Sequence, residues 1–240
     1  MSRKLAAASL LLSLLLACLA ADQQKKLHFV SSDSINVMRL IPDPPSAGSE
    51  EDREEIQQVL EMQQTRTGVQ IARAQSEDKL TVFAFADVLG SSFSAENCPK
   101  LAALFDDIEA DSKYFSKSAK EHWARPRPFV AEKKVEPVTK QEIEGSYPSG
   151  HSTRGMLFAE VLAELYPDHR DALLERGRQI GWDRVIAGVH YPSDVAAGRV
   201  LGQNLARVML ASPEFQSRLQ QVRSEVSAPH HPTTAAVSAR

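Results

Sequence analysis

The stretch GSYPSGHS, residues 145–152, decides how this chain reads. Pro148 halts whatever precedes it, because its ring fixes φ and removes a backbone donor. Gly150 lets the main chain approach another group closely. Ser149 and His151 place a hydroxyl and a titratable nitrogen at one point, and a helical run follows until Pro167. An anion held at a helix N-terminus explains this combination, since free N–H groups and the helix dipole both favour negative charge there. Such a site needs cationic partners from elsewhere in the chain.

Working outward, the chain reads as helices. From Glu51, the residues Ile56, Val59, Leu60 and Gln63 repeat near the helical period, and acids crowd the first turn. SEDKLTVFAFADVLG (76–90) predicts a helix capped by Ser76 and stopped by Gly90. SAENCPKLAALFDDIEADSKYFSKSAKEHW (94–123) sets Leu101, Leu104, Phe105, Ile108 and Phe115 on one face, as in a long amphipathic helix that ARPRPF ends. Residues 151–166, 168–190 and 195–210 give three more helices, and Gly198 and Gly202, four apart on the last, predict close helix packing. No strand alternation or internal repeat is visible. The expected fold is therefore all-α, a single-domain helical bundle over 51–220. A polar, Ser-, Asp- and Pro-rich arm covers 22–50 and a disordered tail 221–240, the latter low in apolar content and holding His230 and His231.

Composition bounds the function. The 240 residues suffice for one medium domain with a sizeable core. Lys plus Arg is 28 and Asp plus Glu is 31, a formal net charge of -3, so nothing draws the chain as a whole to nucleic acid or an anionic membrane. An anion must be bound by a local cluster. The opening MSRKLAAASLLLSLLLACLAADQQ has Arg3 and Lys4 before an apolar run and small residues, the pattern of a secretory signal over 1–21 cleaved after Ala20 or Ala21. LLAC resembles a lipoprotein box, which would make Cys18 a lipid anchor. No other segment is long and apolar enough to span a bilayer, so the expected location is periplasmic or secreted, with no integral span in the mature chain. Cys98, the second of two cysteines, is left without a disulfide partner and has no histidine near it in sequence, which reads as structural.

Three segments carry the chemistry: KEHWARPRP with Lys120 and Arg127, PSGH with Ser149, Gly150 and His151, and DRVIAGVHYPSD with Arg184, His190 and Asp194. Lys120, Arg127 and Arg184 are cations, and arginine's planar fork suits phosphate. Ser149 and the N–H groups near Gly150 add neutral donors. His190, four residues before Asp194, can have one ring nitrogen held by the carboxylate while the other stays free as a nucleophile. His151 can protonate a leaving oxygen. These parts suffice for phosphoryl transfer without a metal or other cofactor.

The order K-x6-RP, PSGH, R-x5-H-x3-D resembles the three-part motif of the PAP2 superfamily, and GSYPSGHS is similar to the bacterial class A non-specific acid phosphatases within it. The resemblance implies a helical PAP2/haloperoxidase-type domain that hydrolyses small-molecule phosphomonoesters of broad range. It implies that His190 attacks phosphorus to form a phosphohistidine, that Asp194 orients it, and that His151 protonates the leaving alcohol and then helps water attack. Lys120, Arg127, Ser149, Gly150 and Arg184 would hold the phosphoryl oxygens, and a homodimer or higher homo-oligomer is implied as well. Two positions depart from the pattern. Asp183 stands where Ser often precedes the arginine, and a carboxylate there is expected to orient Arg184 or partly neutralise the pocket. Ser152 stands where Thr usually follows the histidine and keeps the hydroxyl. Alternatives are a vanadate-dependent haloperoxidase, a lipid phosphatase, whose relatives are polytopic, and an inactive anion-binding module.

Overall fold

The computed structural model describes residues 27–226. The signal segment with Cys18, and the tail histidines His230 and His231, lie outside the described residues. In chain order the helices are α1 (Val37–Leu40), α2 (Glu50–Thr65), α3 (Gly68–Ser76), a 3-10 turn (Val82–Phe85) running into α4 (Ala86–Leu89), α5 (Pro99–Trp123), α6 (Pro128–Ala131), α7 (Gly150–Leu165), a 3-10 turn (Pro167–His169), α8 (Arg170–Ile186), α9 (Pro192–Leu210) and α10 (Pro213–Val226). No strand occurs among the described residues, so the architecture is all-α as expected.

Local chemistry sets most boundaries. Ser49 caps α2 by accepting the N–H of Asp52 at 3.2 Å, and three acids follow in its first turn. Pro99 opens α5, whose end is turned by Ala124 in the left-handed region at φ 46°. The region after α2 departs from expectation. Ser76 caps nothing: it closes α3, and its hydroxyl donates to the carbonyl of Arg73 at 2.7 Å. The helix starts eight residues earlier than Ser76, at Gly68, because Thr67 and Gln70 form a reciprocal capping box. Only the expected stop at Gly90 holds, with φ 90°.

Both ends pack more closely than expected. In the stretch read as an arm, Phe29, Val30, Val37 and Ile41 are buried, and the N–H groups of His28 and Phe29 each donate to the Asp111 carboxylate at 2.8 Å. The boundary drawn at 220 falls inside α10, which continues to Val226. Phe215, Leu219 and Val222 recur at helical spacing and are buried, and Glu225 accepts the free N–H groups of Lys100 and Leu101 at the start of α5, both at 3.0 Å.

The centre of the fold is α7, buried on nearly every side and clasped between α8 and α9. Glycines make this closeness feasible. A Cβ on Gly177 would sit 2.7 Å from the carbonyl oxygen of Gly155, and one on Gly198 would sit 2.5 Å from that of Ser149. A Cβ on Gly202 would collide with the carbonyl of Thr153. The Gly198–Gly202 spacing therefore does what the sequence predicts. It lays α9 along the first turns of α7 and brings the starts of the two helices together, where the Ser149 N–H donates to the Asp194 carbonyl at 2.9 Å.

Candidate active site

The helix start of α7, the turn between α8 and α9, the end of α5 and the loop before α7 meet at a cleft of about 520 Å³. Lys120, Gly150, His151 and His190 line it, together with Arg154, Glu142 and others. The structure thus brings one residue or more from each of the three sequence segments to one place.

His190 is held most firmly. Its Nδ1 lies 3.0 Å from Asp194 Oδ2, an atom that can only accept while the carboxylate is ionised, so Nδ1 carries the proton. The same Oδ2 accepts the Tyr191 N–H at 3.0 Å, and Oδ1 accepts Arg125 Nη1 at 2.9 Å. Arg125 is buried in turn: it pairs with Glu55 at 2.9 Å and Asp52 at 3.1 Å, and its guanidinium lies 3.7 Å above the Tyr191 ring. Glu55 also accepts from the hydroxyl of Ser193 at 2.7 Å. The imidazole therefore ends a chain of ionic contacts reaching back to α2. Burial, and then the charges of Arg127, Lys120 and Arg184, push its pKa well below the usual value, so its neutral form prevails and Nε2 keeps a lone pair. Arg127 Nη1 lies 3.3 Å from that Nε2. Burial also raises the Asp194 carboxyl, and Arg125 opposes the rise.

The three expected cations converge but rest on protein acceptors. Arg127 donates to the Glu144 carbonyl at 2.9 Å, the Val189 carbonyl at 3.1 Å and the Glu142 carboxylate at 2.7 Å. Lys120 donates to the Gly145 carbonyl, and burial followed by repulsion from Arg127 brings its pKa down to about 8. Arg184 donates to Asp78 at 3.2 Å and to the Ala74 carbonyl, while its buried Nε has no partner. Ser149 is fully buried as the cap of α7, and Gly150 is that helix's first residue, so its N–H is among those without an intrahelical acceptor.

His151 has a plainer setting. Its Nε2 lies 3.0 Å from the Glu77 carbonyl, and no carboxylate touches it. Burial, then Arg154, Arg184 and His190, push its pKa well below the usual value. Asp183 does not act as expected. It turns away from Arg184 to accept from Arg73 Nε at 2.7 Å and Nη2 at 2.8 Å, and from Gln179 at 2.9 Å, because neighbouring positions on a helix point about 100° apart. The hydroxyl of Ser152 donates to the Val195 carbonyl at 2.6 Å and so ties α7 to α9.

The sequence reading missed Arg125, Glu55, Arg154 and Glu142. Arg125 had a signal in its place two residues before Arg127 within one Arg-Pro repeat. Glu55 had none, because it lies in EEDREE and looks like any other acid of a solvated face.

Residues 108–218 match the PAP2 superfamily. The chain is 33% identical over 207 residues to the non-specific acid phosphatase of Providencia stuartii, covering 82% of this chain and 84% of that protein. It is 31% identical over 202 residues to the acid phosphatase of Zymomonas mobilis, covering 76% and 72%. A bacterial vanadium-dependent iodoperoxidase shares the fold with a TM-score of 0.58 at 16% identity, covering 76% of this chain and 54% of that one. The chain belongs to the PAP2 superfamily. No described helix is long and apolar enough to cross a membrane.

Proposed function

We propose that this protein is an exported acid phosphatase that hydrolyses small phosphomonoesters through a phosphohistidine. The observation that carries this reading is His190 itself: Nδ1 is fixed by Asp194, Asp194 is fixed by Arg125, and the unprotonated Nε2 faces the guanidinium of Arg127. A site that only captured phosphate would need the cations and would not need a nucleophile wired in this way.

In the first step, the Nε2 lone pair attacks phosphorus and the P–O ester bond breaks as His151 gives its proton to the departing oxygen. In the second, His151 takes a proton from water, whose oxygen attacks phosphorus and releases His190 and inorganic phosphate. Lys120, Arg127, Arg184 and the Gly150 N–H neutralise the phosphoryl oxygens in both transition states, with Ser149 at the same helix start. The carbonyls and carboxylates that hold the cations in the free protein keep them near their working positions, so little ordering is left for substrate to impose.

The test is hydrolysis of p-nitrophenyl phosphate at mildly acidic pH in excess EDTA. Turnover is expected to persist, and an acid-labile, base-stable phosphoprotein is expected on rapid quenching. His190→Ala should abolish both. Turnover that needs added metal, or a phosphoprotein that survives in the variant, would refute the mechanism.

A further inference from the structure

Arg154 has no part in the mechanism above, yet it belongs to the cleft. It follows His151 by three residues on α7, and its side chain folds back over the helix start. Nη1 would lie only 3.7 Å from a Cβ placed on Gly150. The side chain is 13% exposed, and its buried Nε has no hydrogen-bond partner. The nearest carboxylate oxygen, Oε1 of Glu109, is 3.7 Å away and is taken up by Lys113 at 2.7 Å. Arg127 and Arg184 end on protein acceptors, whereas Arg154 faces the cleft with donors to spare.

Its position fixes the side of the substrate it meets. It stands about one turn beyond His151 on α7, and its Nη1 reaches back toward Gly150, next to His151 in the chain. Arg154 is thus the cation on the His151 side of the cleft, the side from which the leaving group departs in the proposed mechanism. Lys113 also lines the cleft and is joined to Arg154 through Glu109, so these three groups together keep one positive charge, with Glu142 also in the lining.

We infer that Arg154, backed by Lys113, is a second-phosphate site on the leaving-group side of the cleft. The guanidinium fork takes two oxygens of a phosphate carried close to the scissile ester, and the ammonium adds a point charge. The substrates this selects are bisphosphates whose two phosphate groups are separated by a short link. The inference rests on the phosphomonoesterase reading and gives it a substrate preference.

Calorimetric titration, with EDTA present, of methylphosphonate and methylenediphosphonate into the full-length protein tests this without requiring turnover. The wild type is expected to bind the diphosphonate about tenfold more tightly, the worth of a charge-assisted contact. Arg154→Gln should bring the ratio of the two dissociation constants toward one, and Arg154→Lys should restore part of it. A wild-type ratio near one, or a ratio that Arg154→Gln leaves unchanged, overturns the site, as does equal weakening of both ligands, which would mark a purely structural arginine. Discrimination in a wild type that hydrolyses no monoester leaves the site standing and refutes the hydrolase reading instead.

Discussion

His190 and His151 stand at the starts of adjoining helices, are buried to similar depth, and differ in what lies behind them. Behind His190 is a carboxylate, behind that an arginine, and behind that two acids of α2. Behind His151 is one backbone carbonyl. A carboxylate fixes a tautomer and stabilises the imidazolium-like charge that grows as the ring becomes bonded to phosphorus. A carbonyl holds the ring but leaves its protonation to the surroundings, and those surroundings are cationic. The contrast suits a nucleophile that must stay neutral and aimed, and an acid whose proton is drawn in when an anionic phosphate arrives.

This contrast can be broken residue by residue. The largest effect is expected at His190, where Ala should lower kcat by about 10⁴-fold or more, since in the proposed mechanism no other group forms the covalent intermediate. Asp194→Asn keeps the shape and removes the charge, and a loss of about 100-fold is expected in the phosphorylation step, read by rapid-quench kinetics. His151→Ala should cost about 100-fold or more with an alkyl phosphate but far less with p-nitrophenyl phosphate, whose leaving group needs no proton. Equal losses on both esters would show that His151 is not the acid.

The pH profiles sharpen the same comparison. In the free protein the His151 pKa is depressed, so the protonated acid is depleted as pH rises through a value below 6.5. The alkaline limb of kcat/KM should therefore lie in the acidic range. Bound phosphate favours the imidazolium, so the corresponding limb of kcat should lie at higher pH. The smallest effect is on stability. Both histidines have folded-state pKa values below the unfolded value, so the unfolded chain binds more protons and stability falls as pH drops below about 6.5. Urea unfolding should show each contributing at most about 1.4 kcal/mol per pH unit, and His151→Asn should remove its share of that slope.

Much of this was legible in the sequence because it is written in short-range chemistry. Prolines, Gly90 and the amphipathic face of α5 announce helix limits, and Gly198 with Gly202 announces a close crossing. The order of the three segments announced which residues would meet. The misreadings share one cause, which is that burial comes from tertiary contacts. Ser76 looked like a cap until Thr67 and Gln70 took that role for the preceding helix. Asp183 looked like a neighbour of Arg184 until Arg73, 110 residues earlier, claimed it. Glu55 and Arg154 look like surface charges in any one-dimensional reading, and only the packing of α2 and α7 turns them inward.

The Glu142 carboxylate on Arg127 has a consequence for turnover. It is half-exposed and lies in the long segment between α6 and α7, where it occupies the guanidinium at 2.7 Å in the free protein. If Arg127 holds a phosphoryl oxygen as proposed, free phosphate has to displace this carboxylate to stay bound there. In that mechanism the carboxylate is in place to retake the guanidinium as product leaves. The proposed mechanism thus includes an internal displacing ion, which trades some affinity for substrate against escape from product phosphate.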